Sequence, residues 1–106
     1  MTAFVVVTLN VHSPEWVPDY FTHVPALVRK HGGQYLAVAK GAVKVLEGAV
    51  AAPQAAVIMS FPSLEAVKTF HADPTYAPYR DARLSATEST FIAFDNDPEA
   101  PQFIGQ

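Results

Sequence analysis

The sequence contains no cysteine among its 106 residues. This absence excludes disulfide bonds, thiolate nucleophiles and cysteine-ligated metals, and it is typical of proteins in a reducing cytosol, so we expect a cytoplasmic protein. The four histidines lack the clustered spacing of a metal site, because His71 and Asp73 alone are too few ligands for a tetrahedral or facial centre. We expect no metal and no other cofactor.

Charged residues are scarce, at 16% of the chain, and the positive ones are scattered. Seven Lys and Arg against ten Asp and Glu give a formal net charge of -3, without a basic stripe that could neutralise successive phosphates. A long apolar run is also missing, because the apolar start of the chain reaches polar Asn10 and His12 far short of the ~20 residues of a membrane span. We expect neither nucleic acid nor a membrane as a partner, and we interpret the first segment as a strand.

Hydrophobic residues, by contrast, make up half of the chain. A chain of this length has room for one domain with one core. A monomer of this length buries only roughly 60 to 70% of the surface that its unfolded chain exposes. Part of the apolar surface is therefore expected to meet a partner. We place the domain at residues 1–94 and an irregular tail at residues 95–106, which contains three acids and two prolines.

Hydrophobic patterning predicts four strands, at residues 3–11, 34–40, 55–61 and 90–94. In the first strand, alternate residues from Ala3 to Val11 form a wholly aliphatic face, which should meet the helices. The other face carries Phe4 and Val6 and becomes polar toward its end. Val43 to Glu47 is expected to continue the second strand, beyond Gly41, as a bent or bulged extended stretch.

Capping residues predict where the helices begin and end. Ser13, followed by proline and glutamate, favours a helix that runs to about Lys30, with Pro25 expected to kink or split it. Ser63 favours a second helix that stops at Asp73, and a further helical segment is expected from Thr75 to about Ala86.

The predicted order is β-α-β-β-α-β, which is typical of an α+β, ferredoxin-like antiparallel sheet with its helices on one face. Right-handed crossovers place both helices on the same side and leave the opposite face, with Phe4 and Val6, uncovered. An apolar face of that size is an association site, and the simplest cover is the same face of a second subunit. We therefore expect a homodimer.

Several short motifs, in order, resemble the domain-of-unknown-function family 1330 of the dimeric α/β-barrel superfamily. They are His31-Gly32-Gly33, Val45-Leu46-Glu47-Gly48, Phe61-Pro62-Ser63, and Tyr76 with Arg83. The likeness runs from about Ala3 to Phe94, and Pro18, Pro25 and the tail depart from the family's usual pattern. The resemblance implies a ferredoxin-like fold whose sheets pack face to face in a homodimer, with a cavity between sheet and helices. It implies no established reaction, because relatives in the superfamily include heme-free monooxygenases, lactone isomerases, heme peroxidases and ligand-sensing domains.

Three charged or titratable residues within these motifs are candidate catalytic groups. His31 is a candidate general acid or base, although a histidine at that place also serves as a helix C-terminal residue without any catalysis. Glu47 and Arg83 could meet beside an apolar cavity and bind an oxygen-bearing substrate, or they could form a structural ion pair.

A second set of residues is assigned to substrate binding. Asn10 and His12 share a strand face with Val6 and should lie toward the dimer side, where a ligand, the other subunit or, as the favoured alternative, solvent could supply their hydrogen-bond partners. Trp16, Tyr20 and Tyr76, with Tyr79, could line a pocket for an aromatic substrate, or they could belong to the core.

Three functions remain open from the sequence. The first is a protein that binds a small, partly apolar molecule in a cavity between sheet and helices. The second is a cofactor-independent monooxygenase or isomerase acting on a small aromatic or carbonyl substrate. The third is a structural dimerisation module without a ligand.

Overall fold

The chain folds as an α+β domain in a computed structural model that describes residues 2–97 and 99. Its elements are β1 (Ala3–Val11), α1 (Val17–Lys30), β2 (Gln34–Lys40), β3 (Ala55–Phe61), α2 (Leu64–His71), α3 (Ala77–Ala86) and β4 (Thr87–Asp95). The four strands form an antiparallel sheet in the order β2-β3-β1-β4. This is the ferredoxin-like order, so the predicted fold class is confirmed.

The central strand β1 shows the predicted alternation of its two faces. Ala3, Val5, Val7 and Leu9 are all buried and contribute to the hydrophobic core, whereas the residues between them are partly exposed. Helices α1 and α2 add Val28, Phe70 and others to the same core cluster. The helices therefore cover the aliphatic face of β1, as its parity indicates.

The two main helices begin in different ways. Ser63 caps α2, because its hydroxyl accepts a hydrogen bond of 3.1 Å from the backbone N–H of Ala66. Ser13 does not cap α1, because its hydroxyl donates to the carboxylate of Glu15 and the helix begins four residues later, at Val17. The predicted cap is thus correct for α2 and wrong for α1.

Pro25 neither splits α1 nor ends it, which corrects the expected break. The helix is continuous from Val17 to Lys30. Proline removes only one backbone donor. Val24 and Val28, on either side of Pro25, are fully buried against the sheet, and we attribute the continuity of the helix to this packing.

Residues 41–54 connect β2 to β3 as an irregular exposed segment, so Val43 to Glu47 is not the predicted extension of the second strand. Gly41 and Gly48 both adopt positive φ angles, of 102° and 106°, which turn the chain away from strand geometry. The bulge occurs earlier, where the register of β2 against β3 shifts between Tyr35 and Ala37.

At the other end of the domain, β4 is longer than predicted, since it begins at Thr87 and includes Asp95. Of the expected irregular tail, residues 96, 97 and 99 are also described, whereas residue 98 and residues 100–106 lie outside the described residues. In the described part of the chain, no helix is long and apolar enough to cross a membrane.

The helix-free face of the sheet is apolar, as expected from the parity of β1. Val6 pairs with Ile58 on one side and with Ile92 on the other, and Phe4 packs against Phe94 with ring centroids 5.9 Å apart. Ile92, on the edge strand β4, is 57% exposed. This face therefore leaves a continuous apolar surface open.

Candidate functional site

A narrow space, the inner cavity, lies between the helix-covered face of the sheet and helix α1. Its free volume is about 20 Å³, and one water molecule needs ~10–15 Å³ on the same measure. It can therefore admit one small polar group but not a ring. The lining residues are Val7, Leu9, Trp16, Tyr20, Phe21, Tyr35, Val57, Met59, Arg83 and Phe91.

A larger space, the outer chamber, adjoins the inner cavity and has a volume of about 280 Å³. Four residues, Leu9, Trp16, Phe21 and Val57, line both spaces and so form the junction between them. The walls of the outer chamber are almost wholly apolar, and its long polar side chains are those of Lys40 and Gln54.

Arg83 brings a buried positive charge to the wall of the inner cavity. It lies in the last turn of α3 and is 2% exposed. Its Nη1 donates a hydrogen bond of 2.7 Å to the hydroxyl of Ser89, but its Nε and Nη2 have no hydrogen-bond partner among the described residues. Unpaired buried charge is costly, so the site favours an acceptor that carries negative charge.

Trp16 supplies another donor without a partner. It is the residue that precedes α1, and it lines both the inner cavity and the outer chamber. Its Nε1–H is buried and has no acceptor in the part of the chain that the structure describes. Two residues of the same cavity wall, Trp16 and Arg83, thus carry three donor nitrogens whose N–H groups could bond a ligand oxygen.

Two tyrosines form a hydrogen-bonded pair beside the cavity. The hydroxyls of Tyr20 and Tyr76 lie 2.8 Å apart, and Tyr76 is fully buried. Burial, and then the neighbouring Tyr76, raise the pKa of Tyr20 well above its usual range. The same two causes raise the pKa of Tyr35 to about 12. Both cavity tyrosines therefore stay protonated at neutral pH and act as donors rather than as bases.

His31 lies away from the inner cavity, in a contact between the end of α1 and the turn before α3. Its Nε2 donates to Oδ2 of Asp73 over 2.8 Å, and Lys30 Nζ lies 3.4 Å from the same oxygen. The hydrogen bond from His31, followed by that from the backbone of Thr75, lowers the pKa of the Asp73 carboxyl below its usual range. His31 also lines an open surface groove with Asp73.

The other predicted polar site residues also lie apart from the inner cavity. Glu47 is exposed on the segment 41–54, and no ion pair joins it to Arg83 within the described ranges. Asn10 accepts a hydrogen bond from the backbone N–H of Gln54, and His12 is exposed with its Nε2 3.9 Å from Glu88. Of the residues predicted to be catalytic or to bind substrate, Arg83, Trp16 and Tyr20 line the cavity, and Tyr76 lies directly behind Tyr20.

Three residues of the site were not predicted from the sequence. Phe91 places its ring under Arg83, with the guanidinium carbon 6.0 Å from the ring centroid, and Ser89 bonds the same guanidinium. Both occur at alternate positions of β4, as does Ala93, so the parity of that strand could have assigned them to the helix side. Tyr35 has the corresponding position in β2, where it pairs with buried Met59.

The fold and the site define a ferredoxin-like α+β domain with an arginine-lined cavity between sheet and helices. The family described as domain of unknown function (DUF1330) matches residues 2–96. The chain belongs to this family. No curated protein matches it.

Solved structures with similar folds include proteins with and without a stated activity. A protein of unknown function from Rhodopseudomonas palustris superposes with a TM-score of 0.73 at 16% identity, over 92% of this chain and 84% of that chain. SnoaB, a cofactor-independent oxygenase from Streptomyces nogalater, gives 0.62 at 17% identity, over 94% and 97%. A dimeric ferredoxin-like protein of unknown function from Jannaschia sp. CCS1 gives 0.68 at 10% identity, over 91% and 100%. These likenesses identify the fold.

Proposed function

We propose that the protein binds a small, partly apolar molecule that carries an anionic oxygen, and that Arg83 holds this oxygen in the inner cavity. The observation that carries the proposal is the guanidinium of Arg83, which is buried at the cavity wall with two nitrogens unpartnered among the described residues. A carboxylate would accept from both nitrogens and neutralise the charge, which is the bidentate geometry that guanidinium groups favour. Trp16 would donate from the adjacent wall.

The test compares organic acids with their neutral counterparts in thermal unfolding. Benzoate and octanoate should raise the unfolding temperature by several degrees, because a ligand at one hundred times its Kd adds ~2.7 kcal/mol to the stability of the folded state. Benzamide and octanamide should raise it much less. Arg83→Met should abolish the difference between acids and amides. Arg29→Met removes the same charge from an exposed position and should leave that difference intact.

If acids and amides differed in their effect on the unfolding temperature of the Arg83→Met variant as much as they do for the unchanged protein, the proposal would be wrong. If no acid or amide stabilised the protein, the structural dimerisation module without a ligand would be the better interpretation.

A second candidate function is a cofactor-independent oxygenase or isomerase acting on a small aromatic or carbonyl substrate. Donors aimed at a developing enolate oxygen lower the barrier to its formation, and Arg83 and Trp16 are donors of that kind. In an oxygenase reaction of this class, a substrate CH₂ group and O₂ give C=O and water, so the substrate itself supplies the electrons. The similarity of fold to SnoaB supports this candidate.

Binding without reaction is favoured because, among the described residues that line the cavity, none is a proton acceptor at neutral pH. Apart from Arg83, its titratable lining residues are Tyr20 and Tyr35, whose raised pKa values keep them protonated. Two of the predicted catalytic residues, His31 and Glu47, lie outside the cavity lining. An oxygen electrode distinguishes the two candidates, since the oxygenase should consume O₂ with a readily enolised aromatic ketone and a binding protein should not.

We also propose that the protein is a homodimer whose subunits meet through the helix-free sheet face. Ile58, Ile92 and Phe94 expose between 40% and 57% of their surface on that face. The dimeric ferredoxin-like protein from Jannaschia shares the fold. A two-fold pairing would bury the apolar row on both subunits at once.

A further inference from the structure

We propose that the ligand is a linear alkyl carboxylate of medium chain length, with its carboxylate at Arg83 and its alkyl chain in the outer chamber. This inference rests on the proposed function, because it names the chemical class of ligand for the same site. It follows from the sizes of the two spaces, from the chemistry of their walls and from the position of the only buried cation that lines them in the described part of the chain.

The inner cavity sets the size of the group that reaches Arg83. Its free volume of about 20 Å³ exceeds only slightly the ~10–15 Å³ that a single water needs. A carboxylate requires a small adjustment of the surrounding side chains, whereas a ring would have to displace core residues such as Val7 and Met59. The charged head is therefore a compact group on a narrow stem.

The outer chamber sets the nature of the remainder of the ligand. Aliphatic side chains from β1, α1, β2 and β3 line it, among them Leu9, Val11, Val17, Val38 and Val57. Such walls give no hydrogen bonds and favour hydrocarbon through the burial of apolar surface. A flexible alkyl chain can follow the junction from the narrow space into the wide one.

The volume of the outer chamber limits the length of that chain. Its 280 Å³ are nearly twice the ~150 Å³ of an engineered apolar cavity that binds benzene, a molecule of six carbons, so the chamber can hold about ten carbons. The chain should therefore gain affinity up to about eight to ten carbons. Longer chains would extend past Lys40 and Gln54 into solvent and gain nothing more.

The orientation of the ligand follows from the two charges. Lys40 lies at the wall of the outer chamber, but it is exposed and hydrated, so it gains little from an ion pair. A reversed ligand would place its alkyl end against the buried guanidinium of Arg83 and leave that charge uncompensated. The carboxylate is therefore expected at the inner end.

The experiment is a titration calorimetry series with straight-chain acids from butanoate to dodecanoate, below their micelle-forming concentrations, and with benzoate as a compact acid. Affinity should rise about fourfold for each added CH₂, because burying one CH₂ contributes ~0.8 kcal/mol. It should level off near eight to ten carbons. Val38→Trp, which fills the outer chamber from a half-exposed position, should lower decanoate affinity at least tenfold and change butanoate affinity little.

Leu84→Trp is the control, because Leu84 is half-exposed on α3, away from the sheet, and lines neither space. It should leave the series unchanged. If butanoate and benzoate bind as tightly as octanoate, and Arg83→Met weakens them, the alkyl class is overturned while the proposed function stands. If Val38→Trp and Leu84→Trp act alike, the assignment of the chain to the outer chamber is overturned. If no acid binds, both proposals fail together.

Discussion

The guanidinium carbon of Arg83 lies 6.0 Å from the centre of the Phe91 ring, and among the described residues no carboxylate forms an ion pair with Arg83. A ring beside a guanidinium supplies a cation–π attraction, which is weaker than a buried ion pair. Ser89, two residues before Phe91 in β4, accepts a hydrogen bond from Nη1 of Arg83. The protein thus holds a positive charge in place without neutralising it, which is the state expected of a site prepared for an anion.

The first prediction concerns the stability of the ligand-free protein. Arg83→Met removes a buried charge while it keeps most of the side chain's length, so the free energy of unfolding should be unchanged or higher by up to ~2 kcal/mol. Arg80→Met removes a charge from the same helix, together with a hydrogen bond to the carbonyl of His71, and should cost ~1 kcal/mol. Urea denaturation measures both. A loss of 3 kcal/mol or more for Arg83→Met would indicate that Arg83 is a structural residue.

The second prediction concerns assembly. Ile92→Glu places a charge in the apolar row, beside Val6, and should convert a dimer into a monomer, because a buried unpaired carboxylate opposes association. Leu84→Glu is the control, since Leu84 is 52% exposed on α3, away from the sheet. Light scattering at micromolar concentration reports the masses. A monomeric unchanged protein, or a dimeric Ile92→Glu variant, would contradict the proposed interface.

The third prediction concerns pH. The folded protein holds the pKa of Asp73 below its ordinary value of 3.8, chiefly through the hydrogen bond from His31. The stability that this carboxylate contributes is complete above the ordinary pKa, and it is lost as the pH falls through the lower pKa of the folded state. Asp73→Asn should therefore flatten the decline of stability below about pH 4 relative to the unchanged protein.

The Asn side chain can still accept from the backbone of Thr75, so the turn before α3 should persist in this variant. Glu88→Gln, at an exposed carboxylate of β4, should leave the acid dependence as it is. Denaturation midpoints between pH 2 and pH 6 provide the comparison. Identical pH profiles for Asp73→Asn and the unchanged protein would show that the His31–Asp73 contact has no effect on acid stability.

The fourth prediction concerns α1, one wall of both spaces. Pro25 cannot donate to the carbonyl of Phe21, four residues earlier, so the helix lacks one hydrogen bond in its middle. Pro25→Ala should restore this donor and raise the free energy of unfolding by ~1–3 kcal/mol, as measured by urea denaturation. Ala26→Pro, at the adjacent exposed position, should destabilise the helix. A destabilised Pro25→Ala variant would mean that the ring of Pro25 itself is needed for packing.

The fold could be predicted from local patterns because the alternation of β1 and the Ser63 cap act over a few residues. The path of residues 41–54 could not, because two glycines with positive φ direct the chain and the sequence does not state which of their accessible conformations is used. Because Glu47 lies on this segment, the sequence could not show that it is separated from Arg83. Arg83 itself was named from the resemblance to the family, whereas its lack of a partner is a property of the packed structure.

The contact between His31 and Asp73 also could not be predicted from the sequence. The two residues are 42 positions apart, and their hydrogen bond depends on how α1 docks against the turn before α3. The sequence suggested His31 as an acid or base because of its position at a helix end. The structure gives it a buried carboxylate instead, a partner that no local pattern indicates.

A crystal structure of the protein soaked with octanoate would show directly how an alkyl carboxylate binds. We expect carboxylate oxygens within hydrogen-bond distance of Nε and Nη2 of Arg83, with the alkyl chain passing Trp16 into the outer chamber. A carboxylate on Lys40 with the chain pointing inward, or an octanoate found only on the helix-free sheet face, would contradict this expectation.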